Sequence, residues 1–391
     1  MKKILVAYSG GLDTSCILHW LRNKYKAKVY AYCADVAGLS RKEKSALIKK
    51  GLRTGAEKVI VEDLREEFLK DFVFPALKAN AVYEGGYFLA TALSRPLIAK
   101  HLVSTAKKYG IKTVSHGCTA KGNDQVRFET AVYSLACDIE VIAPLRFWEL
   151  TTREQEVEYA GKNKIPVSAG SKKYSIDENI WGVAIECGQL EDTAMPPPDD
   201  AWQLTGGKVP KKESKISVSF KGGVPCGLNG KVLSSVELVG KLNDLGAQYG
   251  IGRSDIVESR VVGIKSREIY EAPAAEILTA AHTDLERLVL DKETLHYKEK
   301  LSHDFAELVY KGRWFSPLRT ALTAFVESTQ GGITGSVDVI LRPYGFEIVS
   351  RFSPNSRYVR GLATYAEGDT FERELAEGFI KLSCLDIAKK K

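Results

Sequence analysis

The sequence predicts an α/β protein in which a parallel-sheet domain is followed by an α+β domain and a separate C-terminal helix. Short apolar runs alternate with helical patterns up to about residue 165, which indicates parallel strands covered by helices. Beyond that point strand patterns group together, and the last 20 residues carry an apolar stripe at helical spacing. We therefore expect three units: residues 1–165, 166–365 and 366–391.

The first unit opens with a strand, a glycine-rich turn and a helix. Each apolar run in it is short enough for a buried strand. Strands are predicted at 2–8, 28–35, 58–63, 111–117 and 139–144. Helices are predicted from Asp13, at about 41–53 and at 95–110. In the last of these, Pro96 suits the first helical turn and Gly110 suits the position after the last turn.

The second unit follows an extended, proline-rich segment at 191–200 that is incompatible with a helix. Its pattern predicts a strand at 215–220, a helix at 234–250, extended structure in 255–270, helices to about 328 and a hairpin at 336–352. The stripe of the final helix, which a lysine tail follows, comprises Phe371, Leu375, Phe379, Leu382 and Leu385. It either packs on the chain's own body or contacts a neighbouring subunit, and the second arrangement is favoured for a helix after the last domain.

Composition narrows the class of protein. The 391 residues are 44% hydrophobic and 27% charged, which is ordinary for a globular protein. The net charge of +7 does not by itself imply a nucleic-acid partner, and an anionic small substrate is equally compatible with it. The seven cysteines are scattered without a CxxC pair, so we expect reduced thiols and a cytoplasmic location. We expect neither a signal peptide nor a membrane span.

Residues 7–15, AYSGGLDTS, place two glycines and three hydroxyls between the first strand and the first helix. Such a turn directs backbone N–H groups and a helix N-terminus at one point, which makes an anion site. The stretch lacks the Gly-Lys-Ser/Thr of a Walker loop and the GxGxxG of a dinucleotide site. The candidate ligands are Ala7, Tyr8, Ser9, Gly10, Gly11, Leu12, Asp13, Thr14 and Ser15.

This S-G-G-x-D-x-S pattern resembles the loop of the PP-loop ATP pyrophosphatases. The resemblance implies a loop that binds the pyrophosphate of ATP, with Asp13 acting through Mg²⁺. The alternative is that Asp13 and Thr14 only cap the helix.

A second polar loop, SHGCTAKGNDQVRFE at 115–129, follows the fourth predicted strand. Loops at the carboxyl ends of parallel strands are where such sheets bind ligands. The alternative is a solvated surface loop. Within it, His116 is either catalytic or only orients the backbone.

The two loops together resemble the argininosuccinate synthase family. Further stretches agree across the whole chain: RPLIAK at 95–100, YSIDEN at 174–179, GRSDIVESR at 252–260, GIKSREIYEAPAA at 263–275 and FAELVY at 305–310. The resemblance implies a homotetrameric enzyme that joins citrulline to aspartate, with ATP converted to AMP and pyrophosphate.

The resemblance also assigns residues. ATP would contact residues 7–15, Ala34 and Gly117, and aspartate would contact Thr119, Asn123 and Asp124. Citrulline would contact Tyr87, Asn123, Arg127, Ser175, Ala184, Glu258 and Tyr270. Ser9, Asp13 and Arg127 would serve catalysis. Taken singly, each has a structural alternative, such as an edge-of-core tyrosine, a surface ion pair or a turn cap.

Several positions depart from the family pattern. Ala184 and Ala92 stand where serines that contact citrulline are usual, and Thr91 is a substitute for the second of them. Ala37-Gly38 replaces the usual Gly-Gln after the second strand, and Cys118 and Ala120 replace smaller residues in the second loop. These departures weaken the citrulline end and leave the ATP and aspartate positions intact.

Other functions remain open at this point. One is a paralogue that joins aspartate to a different ureido acceptor, and another is a catalytically weak nucleotide-binding protein. A further PP-loop ligase or a tRNA-thiolating enzyme would require a functional cysteine pair and a basic RNA surface, and the sequence indicates neither.

Overall fold

The computed structural model describes residues 1–166 and 173–388. Its strands are β1 Lys3–Ala7, β2 Lys28–Asp35, β3 Lys58–Asp63, β4 Thr113–Ser115, β5 Glu140–Ile142, β6 Ser175–Asn179, β7 Gly182–Glu186, β8 Ser214–Lys221, β9 Val224–Leu228, β10 Lys231–Val232, β11 Arg253–Ser259, β12 Lys265–Glu271, β13 Gly335–Arg342 and β14 Gly345–Phe352.

Its α-helices include one short π-helical insertion, at Phe68–Val73. They are α1 Leu12–Tyr25, α2 Arg41–Thr54, α3 Arg65–Glu67, α4 Phe74–Lys78, α5 Ala90–Lys108, α6 Asn123–Leu135, α7 Arg153–Lys162, α8 Ser235–Gln248, α9 Pro273–Val289, α10 Lys292–Tyr310, α11 Pro317–Gln330, α12 Arg360–Ala363 and α13 Glu374–Ser383.

The N-terminal sheet is parallel throughout, which confirms the predicted fold class. Its strand order is β3-β2-β1-β4-β5, with Leu5 paired to Tyr30 on one side and to Val114 on the other. The order therefore reverses at β1, between β2 and β4. In open parallel sheets the crevice at such a reversal is where ligands bind.

The rest of the chain forms two antiparallel sheets with helices, which confirms the predicted α+β character. Their strand orders are β10-β9-β8-β13-β14 and β11-β12-β7-β6. The predicted hairpin at 336–352 is the pair β13–β14. One apolar cluster joins side chains of residues 64–97 to side chains of residues 216–341, so the two parts share a core.

The predicted start of α5 is wrong, because the helix begins at Ala90 and Pro96 lies inside it. The hydroxyl oxygen of Tyr87 accepts a hydrogen bond of 3.1 Å from the amide of Ala92 in the first turn. A tyrosine outside the usual capping residues therefore satisfies this amide. Gly110 has a φ of +60° beyond the last turn, as predicted for the end of this helix.

The apolar stripe of the C-terminal helix is exposed in the single chain. Leu375, Phe379 and Leu382 are 63–71% exposed, so α13 does not pack on the chain's own body. The lysine tail at 389–391 lies outside the described residues. Among the described helices, none is long and apolar enough to cross a membrane.

A buried ion pair joins three helices of the second part. Lys298 on α10 lies 2.9 Å from Glu286 on α9, and both side chains are almost fully buried. Glu286 also accepts from the amides of Gln330 and Asn80. Burial opposes its ionisation, but His282 and Lys298 outweigh this and hold the pKa of Glu286 below its usual value.

We predict that Lys298→Met lowers the free energy of unfolding by about 3 kcal/mol, because it leaves the Glu286 charge buried without its cation. Urea unfolding measures this loss, and adding Glu286→Gln should recover most of it. The matched control is Lys311→Met, which removes an exposed partner of Glu307 and should cost at most about 0.5 kcal/mol. Equal losses in the two single variants would contradict the prediction.

Candidate active site

A cavity of about 520 Å³ opens at the carboxyl ends of β1, β2 and β4. The sheet β11-β12-β7-β6 supplies its opposite wall. The structure brings together on this cavity Ala7, Tyr8, Ser9, Asp13, Thr14, Ala34, Tyr87, Gly117, Thr119, Asn123, Asp124, Arg127, Ser175, Ala184, Glu258 and Tyr270. Most of the residues assigned to ATP and all of those assigned to the two amino acids therefore border one space.

Four of the loop residues do not line the cavity: Gly10, Gly11, Leu12 and Ser15. Ser15 is fully buried, and its hydroxyl donates a hydrogen bond of 2.6 Å to the carbonyl of Gly11. Ser15 therefore stabilises the turn. The loop offers a ligand its backbone amides and the hydroxyls of Ser9 and Thr14.

The loop between β1 and α1 is held by local contacts. The hydroxyls of Ser9 and Thr14 lie 3.1 Å apart, and Lys50 donates a hydrogen bond of 2.5 Å to the carbonyl of Gly10. Gly10 has a φ of +78°, and a Cβ there would lie 2.3 Å from Leu47 Cδ1. The positive φ is what favours glycine at this position, since the Leu47 side chain could move away from an added Cβ.

Two helices begin at the cavity without a side-chain cap. In the described structure no side chain caps α1 at Gly11 or α6 at Gly122. By contrast, Ser40, Thr152, Ser234, Asp291 and Ser316 cap α2, α7, α8, α10 and α11. The amides of the first turns of α1 and α6 are therefore left for an anion. The cap alternative for Asp13 and Thr14 does not describe α1.

Asp13 on the cavity wall has a buried acidic neighbour that the sequence analysis missed. Glu156 on α7 is 8% exposed. Burial and a hydrogen bond with Asp13 raise the pKa of Glu156 to about 8. A protonated Glu156 can donate a hydrogen bond to the Asp13 carboxylate.

Asp35, the last residue of β2, stabilises the turn that follows this strand. Asp35 accepts from the amides of Gly38 and Leu39 and from Lys44 at 2.8 Å. Burial opposes ionisation of Asp35, but these donors outweigh it and lower its pKa. Gly38 has a φ of +105°, so the Ala37-Gly38 departure supplies the glycine that this turn needs.

Two arginines and two aspartates alternate along the cavity floor. Asp124 accepts from Arg95 at 2.7 Å and from Arg127 at 3.0 Å, and Arg95 also binds Asp177 on β6. Burial opposes ionisation of Asp124, but the two arginines outweigh it and lower its pKa. The Asp177 contact ties the second sheet to the N-terminal domain.

Glu258 is the centre of a buried hydrogen-bond network at the far end of the cavity. It accepts from the hydroxyls of Tyr270 and Tyr310, each at 2.7 Å, and from the amide of Asn123 at 3.3 Å. The Asn123 amide oxygen accepts from the backbone of Val261 at 2.8 Å. Burial and the charge of Glu268 raise the pKa of Glu258.

Acidic side chains outnumber basic ones at this end. Arg260 binds both Glu186 and Glu268, while Glu258 lies beside them on the same wall. Burial and the charge of Glu268 raise the pKa of Glu186 to about 7. An ammonium group placed here would relieve the repulsion among these carboxylates.

His116 orients the backbone, because both of its nitrogens are engaged in the described structure. Nδ1 accepts from the amide of Cys118 at 3.2 Å, so Nε2 carries the proton and donates to Glu129 at 3.0 Å. Of the two roles considered for His116, catalysis and orientation of the backbone, the geometry supports orientation of the backbone. Gly117 then lies against Thr14, since a Cβ on it would be 3.0 Å from Thr14 Cγ2.

Five wall residues escaped the sequence analysis: Arg95, Asp177, Glu186, Arg260 and Glu268. Arg95, Asp177, Arg260 and Glu268 lie in stretches that were singled out, but the pairing of Arg95 with Asp177 crosses the two domains. Glu186 lies two residues from Ala184, and strand alternation places both on one face. That alternation was the signal that could have found it.

Arg127 is held rigidly and still has a free donor. Its Nε donates 2.8 Å to the carbonyl of Tyr310, and its guanidinium lies 4.6 Å from the Tyr310 ring centre. Its Nη2 is buried and has no partner among the described residues. An unpaired buried guanidinium N–H costs free energy unless a ligand accepts from it, and a carboxylate is the acceptor that it suits best.

The arrangement can therefore bind an anion at two helix N-termini, and a carboxylate and an ammonium group further along the cavity. This combination suits a nucleotide and an amino acid that meet above Asp124. The cavity supplies positioning and charge; it does not present a serine or cysteine nucleophile with a base, within residues 1–166 and 173–388.

Comparison with known proteins identifies this arrangement. Residues 3–166 match the family model described as "Arginosuccinate synthase N-terminal HUP domain", and residues 174–390 match "Arginosuccinate synthase C-terminal domain". The argininosuccinate synthase of Chlorobium phaeobacteroides (strain DSM 266) is 51% identical over 389 residues, 99% of this chain and 97% of that protein. The argininosuccinate synthase of Chlorobaculum tepidum is 51% identical over 390 residues, with the same coverage. Matched by both family models and by full-length relatives, the chain belongs to the argininosuccinate synthase family.

Proposed function

We propose that this chain joins citrulline to aspartate in arginine biosynthesis, converting ATP to AMP and pyrophosphate through a citrullyl-AMP intermediate. The observation that carries the proposal is the pair of uncapped helix N-termini, α1 and α6, on one cavity. Amides and helix dipoles there stabilise the phosphates of ATP and the departing pyrophosphate. The family membership of the whole chain supports the same reaction.

The chemistry follows from the weakness of the ureido carbon as an electrophile. The ureido oxygen of citrulline attacks the α-phosphate, and pyrophosphate leaves. The neutral amine of aspartate then attacks the activated carbon, and AMP leaves. Positioning and charge stabilisation are what the protein contributes, because neither step needs a protein nucleophile.

The charges on the cavity wall support an assignment for each amino acid. Glu258, with Glu186 beside it, suits the ammonium group of citrulline, and Arg127 suits its carboxylate. Tyr87, Ser175, Ala184 and Tyr270 border the same end. Thr119, Asn123 and Asp124 border the same cavity, and we assign them to aspartate, whose amine would there meet the activated carbon.

Asp13 is the residue that we assign to Mg²⁺. One or two carboxylates together with phosphate oxygens are the usual donors for Mg²⁺ in nucleotide sites, and Asp13 on the cavity wall supplies one such carboxylate. Bound there, the ion would neutralise charge on the pyrophosphate as it leaves. Ser9 and Thr14 would donate hydroxyls to the same phosphates.

We predict that AMP and pyrophosphate are released from ATP only when citrulline and aspartate are both present. Asp13→Ala should reduce this release at least a hundredfold, because the carboxylate is needed where charge develops on the leaving group. The control is Asp304→Ala, an exposed position on α10, which should keep the wild-type rate. Coupled assays of AMP and pyrophosphate measure both.

Other outcomes of this assay separate the remaining functions. Release of ADP, or near-normal rates with Asp13→Ala, would contradict the proposal. Turnover with aspartate and another ureido compound, but not citrulline, would indicate a paralogue. Tight ATP binding without turnover would indicate a nucleotide-binding protein without this chemistry.

We also propose that the chain forms a homotetramer in the cytoplasm. The exposed apolar stripe of α13 supports an assembly, since exposed apolar surface of this kind marks an interface. All seven cysteines are free, which suits a reducing compartment.

The assembly can be tested on α13. Light scattering of the wild type should give four times the chain mass of 43.1 kDa. Phe379→Ser with Leu382→Ser should lower this mass, because both apolar side chains leave the stripe. Lys381→Ser, on the same helix, should leave the mass unchanged; a tetrameric double variant would contradict a role for the stripe.

Gly312 offers a test of the Arg127 assignment. It has a φ of +73°, and a Cβ there would lie 2.5 Å from Arg127 Cα. We predict that Gly312→Ala displaces Arg127 and raises the KM for citrulline at least fivefold. The matched control is Gly110→Ala, which has a φ of +60° and open space around the added Cβ.

Both alanine variants should lose about 1 kcal/mol of stability to the positive φ. Only Gly312→Ala should alter citrulline affinity, because only there does the methyl group meet Arg127. Steady-state kinetics with each substrate varied in turn measure the difference. A similar KM for citrulline in the two variants would rule out the proposed contact.

A further inference from the structure

Arg146, in a short helical turn after β5, binds two side chains of α6 at once. Its Nε donates a hydrogen bond of 2.9 Å to Gln125 Oε1, and its Nη2 donates to Glu129 Oε1. Gln125 and Glu129 are four residues apart, so they lie on one face of α6, and the planar guanidinium can span both. Arg146 does not line the active-site cavity, so these contacts do not bind a ligand directly.

Gln125 connects Arg146 to the loop that precedes α6, residues 116–122. Arginine has only donors, so the amide oxygen of Gln125 faces Arg146 and its Nε2 donates to the carbonyl of Ala120. Gln125 is buried, so these two partners set the orientation of its amide.

Glu129 connects Arg146 to the same loop through His116. The Nε2–H of His116 donates to Glu129 at 3.0 Å, and Nδ1 accepts from the amide of Cys118 at 3.2 Å. The imidazole is almost fully buried. Arg146 therefore holds the loop at two backbone positions, the amide of Cys118 and the carbonyl of Ala120.

These two positions lie on either side of Thr119, which lines the cavity. One backbone hydrogen bond is described within the loop itself, from the amide of Gly122 to the carbonyl of Thr119 at 3.2 Å. The conformation around Thr119 therefore depends largely on the two chains of side-chain hydrogen bonds that meet at Arg146.

We infer that Arg146 is a positioning residue that fixes the loop at 116–122 and so places Thr119 for aspartate. The inference rests on the proposed function, because it takes aspartate as the ligand of Thr119. Arg146 acts through Gln125 and Glu129 and does not touch a substrate.

The test combines Arg146→Ala with rescue by dissolved guanidinium ion. Arg146→Ala should raise the KM for aspartate roughly tenfold or more, because a small displacement of a binding group weakens its contact strongly. The KM for citrulline should change less than about twofold, since the Tyr310 carbonyl holds Arg127 separately. The Arg146 side chain is 39% exposed, so guanidinium can enter the space that the variant leaves and should lower the KM for aspartate again.

Two controls make the rescue specific. Ammonium ion at the same concentration matches the charge, but it lacks the planar fork that spans two partners, so it should leave the KM of Arg146→Ala unchanged. Arg342→Ala is the matched control variant, because Arg342 is 45% exposed and also binds two carboxylates, those of Glu213 and Glu347. It should keep the wild-type KM values and should respond to guanidinium as the wild type does.

A second variant tests the connection through Gln125 while Arg146 stays in place. Gln125→Glu keeps an oxygen for Arg146 but removes the donor that faces the Ala120 carbonyl. It should also raise the KM for aspartate, and guanidinium should not lower that KM, since Arg146 still occupies its position. The same variant provides the test if Arg146→Ala does not fold, as judged by circular dichroism.

The outcomes separate this inference from the proposed function. A wild type that turns over citrulline and aspartate, together with an Arg146→Ala variant of wild-type KM for aspartate, would overturn the inference alone. A loss of stability or of kcat without a selective rise in this KM, or a rise that guanidinium does not reverse, would also overturn it. A wild type without AMP release from citrulline and aspartate would overturn both.

Discussion

The site depends on two helix N-termini that open on the same crevice without a side chain to cap them. They follow β1 and β4, the two strands that become neighbours where the strand order reverses. Backbone amides that lack a partner are costly unless water or a ligand accepts from them. Within the described residues, Ser, Thr or Asp caps α2, α7, α8, α10 and α11, whereas glycine at Gly11 and Gly122 leaves the first-turn amides of α1 and α6 without a side-chain cap.

Around this anion site, acidic and basic side chains are distributed unevenly along the cavity. Arg95 and Arg127 share Asp124, and Arg260 is shared by Glu186 and Glu268. One end of the cavity is therefore rich in carboxylates and the middle is balanced. An α-amino acid, which carries a cation and an anion on one carbon, fits a wall where Glu258 and Arg127 are both within reach. Among the described residues Arg127 Nη2 has no partner, so this part of the chain leaves a donor on the wall for a ligand.

Much of the fold was predictable because its signals are local. Short apolar runs that end in Gly or Asp specify β1 and β2, and Ser40 with Glu43 marks the start of α2. The start of α5 could not be predicted, because the acceptor of the Ala92 amide is a tyrosine hydroxyl. In the site, the loop residues carried recognisable motifs. The pairing of Asp177 with Arg95 could not be predicted, since the two residues are 82 positions apart and meet only when the two domains pack.

Asn123 links the start of α6 to the second part of the chain. It is the first residue of α6, and its side chain is held by Glu258 and the Val261 amide from the other domain. The first turn of α6 is thus anchored by the second part of the chain. A shift of β11 and the turn after it relative to the N-terminal domain would therefore also move the start of α6.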